Sequence, residues 1–425
     1  MKNFFVKSKN ISKDCLLWNM IASLLFGFQS VILLMVLTRT VGLIDSGIFT
    51  IAYANASLFL FVGKYGVRNY QVSDVKNEHT FGDYYCARWI AVTAMLVAAI
   101  VYIVYSAVSN GYTLEKSLIV FFMCLFKVPD AIEDVFFGEY QRKGRLDIAA
   151  KAMAIRLALA IMIFAILVTV TRNLLFSLVV DTIISFGIMV VFLKWTVGSF
   201  DMDVQWKKWS VWLILRDCFP LFAGTFLAQY ISNASKYAID AQLSDELQAC
   251  YGFIAMPVFV IGLLNNVVFS PIIYRMAEYW EQRKLKAFMK RFMLQVCIVM
   301  GLTFCCIIGA YLLGIPVLSI LYNTDLHEYK KELLILLFGG GFLALSGLLN
   351  TMITIMRCQY PLLMGYTVVS LIALGCAEKI VALYGMTGAA WLYTALMGIL
   401  CIIFTIIFII VFVRKGIMIK REINA

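Results

Sequence analysis

Lys127, Asp130 and Asp134 stand three and four residues apart in FFMCLFKVPDAIEDVFFGEYQRKGRLDIAAKAMAIRLALA, residues 121–160. That spacing puts the three side chains on one face of a helix, with Glu133 flanking the stripe. A lysine and carboxylates so placed can attract an anion, accept hydrogen bonds from hydroxyl groups, or titrate. The surrounding residues are strongly apolar, and an ionised side chain near the centre of a bilayer costs about 2.5–3.5 kcal/mol. Such groups persist when they face a bundle interior or a wet cavity. Two arrangements meet that condition: an internal Lys–Asp ion pair that locks helices, and the polar wall of a cavity. Pro129 bends this helix and frees backbone carbonyls. Directly after it, YQRKGR brings Arg142, Lys143 and Arg145 together.

Other polar intrusions into apolar runs are few. Asp181 has no partner nearby in sequence, and Lys236 and Asp240 close a later run. Arg88 and Arg156 lie inside apolar runs, where they either face inward or snorkel to head groups. Arg68 sits in the basic stretch KYGVRNYQVSDV. Several chemistries find no support. The only histidines, His79 and His327, fall in loops, and the 11 cysteines show no metal-ligand spacing, so no metal site is expected. A phosphate-binding GxxxxGK[ST] loop and a nucleophile elbow are both absent, and no large loop is available to house an enzyme's catalytic groups.

The elements that hold these residues follow from composition. Of 425 residues, 62% are hydrophobic and 14% charged, against roughly 45–50% and 25% in soluble domains. The bilayer must be the solvent, and the expected class is an all-α polytopic membrane protein. With about 20 apolar residues per span, about twelve spans emerge: 15–38, 44–63, 84–106, 117–137, 149–170, 174–193, 217–238, 250–272, 293–313, 332–355, 361–381 and 387–413. The net charge of +11 sits mostly in short loops, which points to membrane orientation rather than nucleic acid. With the N-terminus inside, only Arg39, Lys116, Arg172, Lys236, Lys330, Lys331 and Lys379 fall on the outer side, with Lys127 within a span. Both termini are therefore expected in the cytoplasm. The start MKNFFVKSKNISKDC, with Lys7 and Lys9, reads as a cytoplasmic tail ahead of the first span rather than a cleaved signal.

Between spans six and seven, Trp206, Trp209 and Leu213 recur at helical spacing around Lys207 and Lys208, the pattern of an amphipathic helix in the head-group layer. This divides the chain into an N-terminal six-helix lobe (1–193), an interfacial linker (194–216) and a C-terminal six-helix lobe (217–425). The halves echo each other faintly: KDC at 13–15 answers RDC at 216–218, and Ile51-Ala52 answers Ile254-Ala255. Two parallel six-helix repeats are a common transporter plan.

Four stretches carry a family resemblance. LTRTVGLIDSGIFTIAYANASLF (37–59) resembles the first helix junction of polysaccharide exporters, with Ile48 in place of the usual Leu and Asp45-Ser46 in place of Glu-Tyr. KYGVRNYQVSDV (64–75) with FGDYYCAR (81–88), and DAIEDVFFGEYQRKGRLDIAAKAMAIR (130–156), look like the inner loops of repeat-unit flippases. FPLFAGTFLAQYISNASKYAIDAQL (219–243) is similar to their seventh helix. The chain thus resembles the Wzx-type oligosaccharide flippases of the multidrug/oligosaccharidyl-lipid/polysaccharide exporter superfamily. The resemblance implies a two-lobe transporter without ATPase in a bacterial plasma membrane. It implies a cargo of undecaprenyl-diphosphate-linked repeat units, moved to the outer leaflet for O-antigen or capsule, with polysaccharide polymerase machinery as a partner. Lys127, Asp130, Asp134, Arg156, Asp181, Lys236, Arg68 and Arg88 are then candidates for the head-group path. Arg142, Lys143 and Arg145 are candidates for its cytoplasmic mouth, although enforcing topology explains those three equally. No cofactor is expected; the drive is the membrane potential or H+ or Na+ antiport. The rival within the superfamily is a drug or small-cation antiporter. The two differ in sign, because a diphosphate requires a net positive cavity and a cationic drug a negative one.

Overall fold

The computed structural model describes residues 2–424 apart from 7, 9, 75, 199, 201 and 203. Lys7 and Lys9 of the expected tail, and three residues of the expected linker, therefore lie outside the described residues. Everything regular among the described residues is helical. In chain order the elements are α1 (Lys2–Val6), α2 (Ile11–Thr40), α3 (Leu43–Lys64), α4 (Val67–Ser73), α5 (Phe81–Ser109), α6 (Leu114–Phe126), α7 (Val128–Arg142), α8 (Leu146–Thr171) and α9 (Leu174–Val197). There follow α10 (Lys208–Gln242), α11 (Asp245–Glu281), α12 (Leu285–Gly309), α13 (Ile315–Tyr322), α14 (Lys330–Ile355) and α15 (Tyr360–Asn424).

Start signals are local. Asn10, Thr113, Asn173 and Ser244 each accept a hydrogen bond from a first-turn amide, and Thr80 forms a capping box with Asp83. Nine helices among the described residues are long and apolar enough to cross a membrane. One of these contains two helices joined at Gly385, whose φ of 57° and ψ of −138° break the run. A residue with a Cβ would be strained there. Two more long helical segments fall outside that test: the α6–α7 pair, interrupted at Lys127, and α11. With these included, the helices follow the twelve runs read from the sequence.

The α6–α7 break has a plain cause. Pro129 offers no amide, and its ring collides with the carbonyl of the residue four back, Leu125. Lys127 takes up the tight turn, its amide bonding to Cys124 O at 3.1 Å.

The chain divides into two compact units, 1–226 and 227–425. Within the first, α7 packs against α3, α4, α5, α8 and α9, while α2 lies along α8. Every residue from Val128 to Tyr140 is buried, so the most polar helix is also the central one. Within the second, α14 packs along α11, α12 and α15.

Segment 194–216 does not form one helix of its own. α9 runs to Val197, residues 204–207 have no regular structure, and Lys208 opens α10, which continues past residue 226. Trp206, Trp209 and Trp212 are all exposed there, spread over a coil and the start of α10. The coil is tied to the start of α5: Thr80 Oγ1 donates to Gln205 O at 2.5 Å, and Lys207 N donates to Asp83 Oδ1 at 2.7 Å. Gly82 is required at this crossing, because a Cβ would run into the backbone of Val204 and Gln205. Gly82→Ala is expected to destabilise the protein by about 1–3 kcal/mol, read as a lower unfolding temperature in detergent. An unchanged transition would mean that the coil does not dock there.

Candidate functional site

The first unit carries a chain of ion pairs through its interior, all centred on α7. Lys127 is 1% exposed; its Nζ donates to Gln29 Oε1 on α2 at 2.7 Å and to Tyr53 Oη on α3 at 3.2 Å. It also lies 3.6 Å from Asp130 and over the rings of Phe26 and Tyr53. Asp130 in turn pairs with Arg156 of α8, whose Nε donates to Glu133 at 2.8 Å. Two cations and two carboxylates thus balance in an interior that would tolerate none of them singly. One helical turn further along α7, Asp134 accepts from Arg88 of α5 at 2.7 Å and lies 3.5 Å from Arg68 of α4. Arg88 also donates to the Gly63 carbonyl at 2.8 Å, and Arg68 to Gln141 at 2.9 Å. This second cluster holds two cations and one carboxylate, and Arg68 is its more exposed member.

The end of α7 forms a third cluster. Glu139 binds Arg142 at 3.2 Å and Lys143 at 3.5 Å, and accepts from Gln71 at 3.3 Å. Arg142 also bonds Asn77 and reaches the Asp74 carbonyl. Arg145 pairs with Asp147 at 2.9 Å. Outside the spans, partial burial disfavours the Asp74 carboxylate, yet the Glu78 amide, Tyr84 hydroxyl, His79 amide and nearby Arg142 together hold it below its ordinary value.

Of the sequence candidates, the structure therefore brings Lys127, Asp130 and Arg156 into one group and Asp134, Arg88 and Arg68 into another. Arg88 and Arg156 face inward and do not snorkel: both are buried and hold α7 carboxylates. Asp181, on α9, is buried with neither carboxylate oxygen hydrogen-bonded among the described residues, and Arg156 is its charged neighbour. Lys236 belongs to the second unit. It is half-buried in the last two turns of α10 and has no hydrogen bond or ion pair among the described residues. Gln29, Tyr53, Gln71 and Glu139 complete the network but were not singled out by sequence. A neutral polar residue in an apolar run carries little signal, whereas Glu139 stands three and four residues before Arg142 and Lys143, a spacing that could have revealed it.

The arrangement is one of helix-locking pairs plus a few cations with spare capacity, Lys236 above all. No protein-family model matches the chain. The capsular polysaccharide biosynthesis protein CapF of Staphylococcus aureus is 24% identical over 385 residues, spanning 87% of this chain and 92% of that protein. An inward-facing multidrug resistance MATE family transporter of the MOP superfamily aligns with a TM-score of 0.70 at 12% identity, covering 93% of this chain and 96% of the other. The lipid II flippase MurJ, in an inward closed conformation, aligns with a TM-score of 0.67 at 12% identity, covering 94% and 90%. The resemblance read from the sequence is thus matched by relatives of the same kind, and this multi-pass membrane chain has the fold of the MOP-superfamily transporters.

Proposed function

We propose that the chain is a flippase for lipid-linked oligosaccharide, acting in the synthesis of a cell-surface polysaccharide in a bacterial plasma membrane. The observation that carries the reading is Lys236, a cation in an apolar span that no carboxylate or carbonyl of the described chain satisfies. Such a group is stabilised by an anionic cargo and repels a cationic one, which favours a diphosphate over a drug cation. The capsular relative supports the same direction. Undecaprenyl diphosphate is the proposed lipid carrier, alternating access the proposed cycle, and both termini are proposed to be cytoplasmic. Carrying about two negative charges outward gains roughly 2.3 kcal/mol per charge per 100 mV of inside-negative potential. The membrane potential is accordingly the proposed drive, with H+ or Na+ exchange as an additional source.

The test is reconstitution. Purified protein in vesicles should expose an inner-leaflet lipid-diphosphate oligosaccharide to a membrane-impermeant glycosidase, faster with an imposed potential of the correct sign. Vesicles that instead extrude a cationic dye and leave the sugar lipid protected would assign the protein to the drug antiporters.

A further inference from the structure

A groove of about 840 Å³ runs between α8 and α9 on the first unit, within the roughly 300–1,000 Å³ typical of small-molecule sites. Ile155 of α8 and Ile188 of α9 contribute to its walls, Trp195 lies towards one end, and Phe4 and Phe5 of α1 help to close it. No charged or hydrogen-bonding side chain other than the Trp195 indole lines it. Water would find too few partners there, so the space suits hydrocarbon. Gly187 opens it further: a Cβ built at this position would meet nothing within 4 Å.

The aromatic end is secured rather than loose. Phe4 meets Trp18 edge-on at 5.9 Å, and Phe5 packs on Phe192 at 4.9 Å and on Trp195 at 6.0 Å. Arg145 donates to the Val6 carbonyl at 2.6 Å, and Lys151 lies over Phe4 while pairing with Asp14 at 2.8 Å. The groove therefore has a built end, at the level where basic residues gather. Lys194, one residue before Trp195, is exposed and has no ion-pair or hydrogen-bond partner among the described residues.

We infer that this groove binds one acyl chain of an anionic phospholipid, with the lipid phosphate against Lys194. The chain spans a membrane, so hydrocarbon is the medium outside α8 and α9; the dry walls select the tail, and the unpaired lysine selects the charge of the head. The inference needs only that the protein spans a membrane, and it stands whether the cargo is an oligosaccharide lipid or a drug.

Native mass spectrometry of the full-length purified protein tests it, with phosphatidylglycerol and phosphatidylcholine of identical chains as probes. The wild-type protein should retain one phosphatidylglycerol with about a tenfold preference over phosphatidylcholine. Gly187→Phe should lose that lipid, and Lys194→Glu should keep a lipid but lose the preference. Equal retention by wild type and Gly187→Phe, or equal retention of the two lipids by wild type, overturns the site. Since Gly187→Phe can disturb packing, a second measurement uses the native sequence. Chain-brominated phosphatidylglycerol should quench the emission component that Trp195→Phe removes, and absence of that quenching overturns the site independently.

Discussion

Arg156→Leu is expected to strand Asp130 and Glu133 in the interior of the first unit and to destabilise the protein by about 3–5 kcal/mol. Both carboxylates are buried and hold Arg156 as a shared partner. Lys127 remains beside Asp130, at 3.6 Å, but Glu133 has no other cation bonded to it among the described residues. The protein should unfold at a markedly lower temperature and run as aggregate on size exclusion. Adding Asp130→Asn and Glu133→Gln to the same chain should restore much of the loss, because the penalty comes from unpaired charge and not from the absence of a favourable bridge. A single variant as stable as wild type would show that these groups are solvated in the membrane-embedded protein. Export by the triple variant, once folded, separates scaffold from cargo contact at this cluster.

Lys236→Ala should behave in the opposite way. No partner among the described residues is left behind when this side chain goes, so the unfolding temperature should hold or rise. A hydrogen bond to a charged group is worth about 1.5–3 kcal/mol, so affinity for a lipid-diphosphate head group should fall about ten- to 150-fold. Lys236→Arg should keep most of it. The measurement is polysaccharide export in cells lacking their own copy, with expression matched. A fully exporting Lys236→Ala chain would remove this lysine from the cargo path. A variant both stable and inactive is the pattern of a residue kept for function at the expense of stability.

Apolar run length made the helices legible, because about 20 apolar residues have few other fates. The interruption at Lys127 was also legible, through Pro129, which cannot continue the helical ladder. The pairings were not. The sequence places Asp130, Glu133 and Asp134 on adjoining faces of one helix, but the arginines that pair with them come from 23 to 66 positions away, through the packing of α4, α5 and α8 on α7. An arginine inside an apolar run reads the same whether it reaches a head group or a carboxylate; only the neighbouring helix decides. The connection at 194–216 was legible as a preference but not as a shape. Tryptophan and lysine at helical spacing describe preference for an interface, and a coil followed by a helix start satisfies that preference as well as one continuous helix.

The burial of α7 at the centre of its unit has a consequence for biogenesis. Lys127, Asp130, Glu133 and Asp134 lie within a single segment, and each charge near a helix centre opposes insertion by about 2.5–3.5 kcal/mol. That segment cannot settle in lipid alone as it leaves the ribosome. Arg88 is already synthesised by then, but Arg156 lies 22 positions beyond Asp134 and emerges later. The α6–α7 pair must therefore wait at the insertion machinery, Glu133 still unmatched, until α8 delivers Arg156. Ribosome arrest before residue 156 should leave this segment extractable from the membrane, and arrest well after it should not.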